Sequence, residues 1–357
     1  MLPSKFFDPP SGGSGSKDNN SNRLQPAAPP LGMTGVMCKI GTLDIPRRGT
    51  IHYRIFRPNQ LKEGNKPPLV VLHGGPMIPC NYLLPLAYVI VDRSIIFYDQ
   101  LGCGNSKTVV SQDVLTTSTK DEPSEDQKSS RILDLPAMVQ DLFLLLQHWD
   151  FPKYHLIGHS FGGILAFEYL KYLQSQTSQS KKDGKCLSVV LASAPTSVEV
   201  VEKEVQRLCQ GLDVDEEDME DEQETENVST LPKTVPKQFR VTYECRLDPI
   251  PFPLADSYSG AGPKHLRGLP AIGNYEAKSA EPVENDAAVL PSLPPALVLR
   301  GQHDFCTEQC VTGWDHLFRD KQYMTLAGCS HYGMLENEGM YGSVISSFLK
   351  DCDTEES

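Results

Sequence analysis

The sequence predicts an α/β fold, a mostly parallel sheet with helices on both faces, and three observations carry the prediction. Strand-like and helix-like segments alternate over most of the chain. Most strand-like segments are continuous apolar runs, as strands buried on both faces require. Several of those runs end in glycine-bearing turns where serine, aspartate and histidine collect.

Taken in order, residues 1–34 are rich in Pro, Gly, Ser and Asn and are expected to be disordered. MCKIGTL (37–43) and TIHYRIFR (50–57) alternate like a hairpin. PPLVVLHGGP (67–76) and SIIFYDQLGCGNS (94–106) read as buried strands running into glycine turns, with a helix expected over 80–92 between them. Residues 107–131 read as a polar surface insertion. LDLPAMVQDLFLLLQHWD (133–150) has helical apolar spacing, and Pro136 fits its first turn. Strand YHLIGHS, helix FGGILAFEYLKYLQ (161–174), a loop over 175–185 and strand CLSVVLASAP (186–195) follow. SVEVVEKEVQRLCQGL (197–212) reads as an amphipathic helix, and residues 231–290 carry no clear period. Regularity returns with strand PPALVLRGQHD (294–304), helix 308–318, strand KQYMTLAGCSH (321–331) and a closing helix over 340–351.

Charge and cysteine usage narrow the class. The chain has 357 residues and a formal charge of −13, but DVDEEDMEDEQETE (213–226) alone holds ten acidic residues and no basic one. Such a block reads as a solvated insertion, and the balance argues against a nucleic-acid partner. Ten scattered cysteines without a CxxC pair read as reduced thiols and point to the cytoplasm, with neither a disulfide framework nor a zinc site. No signal-peptide pattern opens the chain, and no run approaches the ~20 apolar residues of a membrane span, so no membrane partner is expected.

The chemistry gathers at strand ends. LIGHSFGG (156–163) places Ser160 at the centre of G-x-S-x-G, between a strand and a helix. A serine hydroxyl needs a base within hydrogen-bond reach, and the base needs an orienting group. Asp304 and His331 leave later strands in the order nucleophile, acid, base. Asp248 and Asp286 are alternative acids, and His303 an alternative base, although it adjoins Asp304 too closely to reach back. His73, His155 and His159 precede or adjoin the serine and cannot follow it in that order. The amide of Phe161 and, from HGGP, that of Gly75 would complete an oxyanion hole.

Together these segments resemble the α/β-hydrolase fold and, within it, the prolyl aminopeptidase (proline iminopeptidase) family of serine peptidases. The family pattern HGGPG, DQRGCGRS, G-x-S-x-GG, G-x-x-D and a late GH or SH stands here as HGGPM (73–77), DQLGCGNS (99–106), GHSFGG (158–163), GQHD (301–304) and SH (330–331). Met77, Leu101 and Asn105 depart from it and alter the pocket's shape while leaving the three reacting residues in place. The resemblance covers roughly residues 37–350. It implies a mostly parallel eight-stranded sheet, a core of residues 35–195 and 291–352, and a cap over 196–290 inserted after the sixth strand. YECRLDPIPFP (243–253) is similar to a cap segment of the tricorn-interacting branch. GNYEAKS (273–279) is similar to its loop bearing an amine-binding glutamate. The resemblance thereby nominates Glu276, and secondarily Glu244, to hold the substrate's α-amine. It implies short peptides with a free N-terminus as substrates, release of an N-terminal residue, preferably proline, through an acyl-enzyme, and no metal or organic cofactor. The alternatives are a carboxylesterase, lipase or lactonase of the same fold, and a non-catalytic binding protein. Epoxide hydrolases and dehalogenases carry aspartate where Ser160 stands.

Overall fold

The computed structural model describes residues 35–59, 66–109, 134–175, 184–212, 235–263, 266–280 and 293–353. The expected N-terminal disorder, the acidic run 213–226, Asp286 and most of the 107–131 insertion lie outside them. The two alternating segments form β1 (Val36–Ile45) and β2 (Gly49–Pro58), paired antiparallel. Then follow β3 (Leu69–Leu72), β4 (Ile95–Tyr98), the two-residue β5 (Lys107–Thr108), β6 (Lys153–His159), β7 (Lys185–Ala192), β8 (Ala296–Gly301) and β9 (Lys321–Leu326). The sheet order is β1-β2-β4-β3-β6-β7-β8-β9, with β5 joined to β2. From β4 to β9 every neighbouring pair in that order is parallel. Among the described residues, β5 is the one strand beyond the expected eight.

Strand side chains alternate between faces, and here both faces are covered. Val70 and Leu72 enter one apolar cluster, Leu69 and Val71 the other; Ala296 and Val298 divide from Leu297 and Leu299 in the same way. This is why the strands read as unbroken apolar runs. Helices α1 (Leu135–Trp149) and α2 (Phe161–Ser175) cover the first face, and Val201 and Val205 of α3 (Val198–Gln210) join them. Asp134 caps α1 by accepting from the Ala137 amide, with Pro136 in its first turn. Between β7 and β8 lie α3, a π-helical turn (Arg240–Glu244) and α4 (Phe252–Ser259). A short α5 (Glu308–Val311) follows β8, and α6 (Glu338–Asp353) closes the second face through Ile345, Phe348 and Leu349. No helix among the described residues is long and apolar enough to cross a membrane.

Two expected helices differ. Residues 80–92 form a 3-10 turn (Cys80–Leu83) and a single turn at Leu86–Val89. Pro85 between them lacks an N–H and disfavours helix at the residue before it. Residues 308–318 break into α5 and a turn at Trp314–Leu317. Trp314 there is fully buried and donates its indole N–H to the Ala194 carbonyl at 2.8 Å.

The C-terminal end of α6 is clamped at the foot of the sheet. Asp353 accepts from Arg93 at 2.9 Å and sits 3.1 Å from His155 Nε2, while His155 Nδ1 lies 2.7 Å from Ser188 Oγ. Burial would raise the Asp353 carboxyl, but hydrogen bonds from His155 and Arg93 overcome it and hold it at about 2. A carboxyl lowered by folding contributes stability above its unfolded pKa, near 4, and loses it as pH falls through 2. Asp353→Asn is therefore expected to lower stability by about 2 kcal/mol at pH 7, roughly 5 °C in Tm. The gap to wild type should close in thermal melts carried down from pH 4 to pH 2. A pH-independent gap would remove the charge from the explanation.

Candidate active site

The parallel arrangement brings the carboxyl ends of β3, β4, β6, β7, β8 and β9 to one edge, where ligands bind in open α/β sheets. Ser160 follows β6 at φ +53°, a left-handed conformation uncommon for a residue with a Cβ. Its amide donates to the Ala192 carbonyl at 2.8 Å, and its carbonyl accepts from Gly163 at 2.9 Å. The turn closes only because its neighbours are small. A Cβ on Gly158 would run into the Gly162 carbonyl, and one on Gly162 into the Leu72 carbonyl. The glycines fence the serine because strand, helix and adjoining strand meet there in backbone contact.

Asp304 and His331 meet as the sequence predicts. His331 Nδ1 and Asp304 Oδ1 are 2.8 Å apart, and the two side chains are 2% and 0% exposed. The carboxylate only accepts, so Nδ1 carries the proton and Nε2 keeps the lone pair a base requires. The same Oδ1 accepts from the Cys306 amide at 2.8 Å, while Oδ2 is buried and without a hydrogen-bond partner among the described residues. Phe305 stacks on the imidazole, ring centroids 4.1 Å apart. No hydrogen bond joins the Ser160 hydroxyl to His331 among the described residues; the imidazole packs instead on His159, the serine's neighbour, at 4.8 Å between centroids. In unliganded sites that bond is often long and closes when substrate binds. Of the alternatives, Asp248 is exposed, and His155 and His73 are buried in other contacts.

The HGGP loop is seated by the DQ turn. The Gln100 amide donates to His73 Nε2 at 2.9 Å, so Nδ1 of that ring donates to the Gly74 carbonyl at 3.0 Å. Gln100 Nε2 donates to the His73 carbonyl at 3.1 Å, and the Met77 amide donates to Gln100 Oε1 at 3.2 Å. Met77, where the family pattern has glycine, holds φ +68° and is buried. Gly75 has φ +111°, and its amide has no hydrogen-bond partner among the described residues. Phe161 opens α2, where the first amides have no partner within the helix.

The two nominated glutamates occupy different surroundings. The Glu276 side chain is 62% exposed and pairs with Lys278 at 3.0 Å. Glu244 is buried. Its carboxylate accepts from Tyr258 Oη at 3.1 Å and from Arg240 at 3.3 Å. Tyr258 Oη in turn lies 3.1 Å from Tyr332 Oη. The backbone here binds both reacting loops: the Tyr243 carbonyl accepts from the Phe305 and His331 amides at 3.3 Å, and the Glu244 carbonyl from the Tyr332 amide at 3.2 Å. Sequence reasoning missed this strap, along with Tyr82, Tyr258, Phe305 and Tyr332. The only sequence signal is that Phe305 and Tyr332 each follow a nominated residue.

Ser160, Asp304 and His331 leave β6, β8 and β9 in the chain order typical of α/β hydrolases, and the chain belongs to the alpha/beta hydrolase fold family, whose profile matches residues 67–338. Fold and relatives together mark it as a hydrolase. It is similar to the proline iminopeptidase of Lactobacillus delbrueckii subsp. bulgaricus, 26% identical over 295 residues, covering 80% of this chain and 90% of that one. The proline iminopeptidase of Lactobacillus acidophilus is 26% identical over 312 residues, with 84% and 94% covered. Among solved structures, proline iminopeptidase from Mycobacterium smegmatis superposes with a TM-score of 0.66 at 21% identity, covering 89% of this chain and 100% of that one. The N-acyl homoserine lactonase AidH, at 14% identity, covering 90% of this chain and 99% of that one, gives 0.55. Both structural matches show the same fold.

Proposed function

We propose that the chain is a cytoplasmic serine aminopeptidase that releases an N-terminal residue, preferably proline, from short peptides. Ser160 Oγ attacks the first carbonyl carbon and its proton passes to His331 Nε2, with Asp304 holding the imidazole and balancing the imidazolium. The Gly75 and Phe161 amides receive the oxyanion. Collapse of the intermediate breaks the C–N bond, and His331 gives its proton to the leaving amine. Water, deprotonated by the same imidazole, then releases the acyl group. The observation that carries this reading is the buried His331–Asp304 pair packed against the elbow of Ser160. The proline iminopeptidase relatives supply the substrate class.

The free α-amine goes to Glu244 in this reading. Glu276, the first choice from sequence, faces solvent beside Lys278, and its exposure favours the buried Glu244 as the receptor in this reading. A second reading, a carboxylesterase or lactonase, is favoured by one observation: the Arg240–Glu244 contact offsets the charge an ammonium group would seek. Turnover of proline arylamide against its N-acetyl form separates the two. The aminopeptidase reading expects the acetylated substrate to lose about 100-fold or more in kcat/KM, because its acylated nitrogen carries no charge for the buried carboxylate to attract and its acetyl group adds bulk at that end. Equal turnover would favour the esterase.

A further inference from the structure

Tyr82 and His159 exchange no proton in the mechanism above, yet they lie between the loops that carry the reacting atoms, and His159 packs against the His331 ring. The Gly74 amide donates to Tyr82 Oη at 2.8 Å, Tyr82 Oη is 2.8 Å from His159 Nδ1, and His159 Nε2 is 2.9 Å from the His331 carbonyl oxygen. All three side chains are buried. Chemistry fixes the direction of every bond. A carbonyl oxygen can only accept, so Nε2 of His159 carries the proton. A neutral ring then presents a lone pair at Nδ1, so the Tyr82 hydroxyl must donate there. The hydroxyl oxygen is left to accept from Gly74. Burial and the neighbouring His331 push the His159 imidazole well below its ordinary range, and burial pushes the Tyr82 phenol well above its own. Neither group changes protonation near neutral pH, so the direction holds while His331 gains and loses its proton.

We propose that Tyr82 and His159 are positioning residues: a one-way hydrogen-bond chain that ties the oxyanion loop to the backbone of the His331 loop through the residue beside Ser160. The proposal rests on the reading of Ser160 as nucleophile. The chain engages the Gly74 amide and leaves that of Gly75 as the loop's free donor. The register matters because a Cβ on Gly74 would stand 3.1 Å from both the Ser160 Cβ and the His159 carbonyl oxygen. The oxyanion loop thus rests directly on the elbow, and a shift of a fraction of an ångström would move its donor off the developing charge.

Four variants test it: Tyr82→Phe, His159→Leu, the double variant that combines these two, and His159→Gln, with active-site titration so that only folded enzyme is counted. Tyr82→Phe is expected to lower kcat on proline arylamide by about 30-fold with KM within about twofold, and to slow fluorophosphonate labelling of Ser160 by a similar factor. His159→Leu should fall as far, and the double variant no further than either single one, because both break one chain. His159→Gln offers an N–H to His331 and an oxygen to Tyr82, and should recover most of the loss. Full kcat in Tyr82→Phe, a change in KM alone, or additive losses in the double variant would overturn the proposal. Should Tyr82→Phe fail to fold, His159→Gln against His159→Leu carries the same test. Fluorophosphonate labelling requires no prolyl specificity. A wild type that labels but does not cleave proline arylamide sinks the functional reading and leaves the chain testable by labelling rate; a wild type that does not label overturns both.

Discussion

Ser160→Ala is expected to remove about 10⁶-fold of kcat on proline arylamide while leaving Tm within about 2 °C of wild type. The hydroxyl is the only group lost. It has no hydrogen bond to the protein among the described residues, so no buried partner is orphaned, and alanine meets the same φ of +53° as serine does. Asp304→Asn should behave differently. Oδ1 accepts from both the Cys306 amide and His331 Nδ1, so an amide that turns its N–H there gives up the Cys306 bond and forces the imidazole proton to Nε2. That tautomer cannot accept from Ser160, and a loss of about 10⁴-fold follows. The graded pair tells a nucleophile from a residue that acts by orienting the base. Steady-state assays retaining more than a hundredth of wild-type activity in Ser160→Ala would move the nucleophile elsewhere.

The parts of the fold legible in sequence are those whose signal is local. Strands β3 and β4 are buried and apolar at every position, and β6, β7 and β8 carry buried apolar stretches at Leu156–Ile157, Val189–Ala192 and Ala296–Leu299, a pattern visible in any window of the chain. The glycine at 158 records a backbone contact between β6 and α2, which adjoin in sequence, whereas that at 162 records the approach of β3 from about 90 residues earlier. The turns at Pro85 and near Trp314 were harder to place. There a helical pattern is present, and what interrupts it is a missing N–H in one case and a packing demand from the distant Ala194 in the other. The three reacting residues could be nominated because each ends a strand, but their meeting depends on strand order, which no window shows. The strap at Tyr243–Glu244 binds loops roughly 60 and 90 residues away through backbone carbonyls. Carbonyls are common to every residue and leave no mark on composition. The burial of Glu244 and the exposure of Glu276 are hidden for the same reason: in a chain this acidic, burial is decided by which distant tyrosine or arginine comes to rest beside a carboxylate.

Glu244→Gln carries the second large effect. An ammonium group about 4 Å from a carboxylate gains about 4 kcal/mol at an effective dielectric of 20, an upper figure here because Arg240 already stands 3.3 Å from that carboxylate. If half survives the competition, kcat/KM for proline arylamide should fall about 30-fold in Glu244→Gln. Glutamine can turn its oxygen to Arg240 and its N–H to Tyr258 Oη, which then donates to Tyr332 Oη, and the strap is held by backbone carbonyls, so the fold is expected to hold. The N-acetyl substrate supplies the control: it has no cation to lose, and its slow turnover should be the same in both enzymes within about twofold. The ratio of the two substrates, measured in wild type, Glu244→Gln and Glu276→Gln, then isolates the charge. Glu276 is solvated and paired with Lys278, so its replacement should leave the ratio at the wild-type value. A ratio that collapses in Glu276→Gln and survives in Glu244→Gln would reverse the assignment, and one that survives in both would detach amine recognition from these carboxylates altogether.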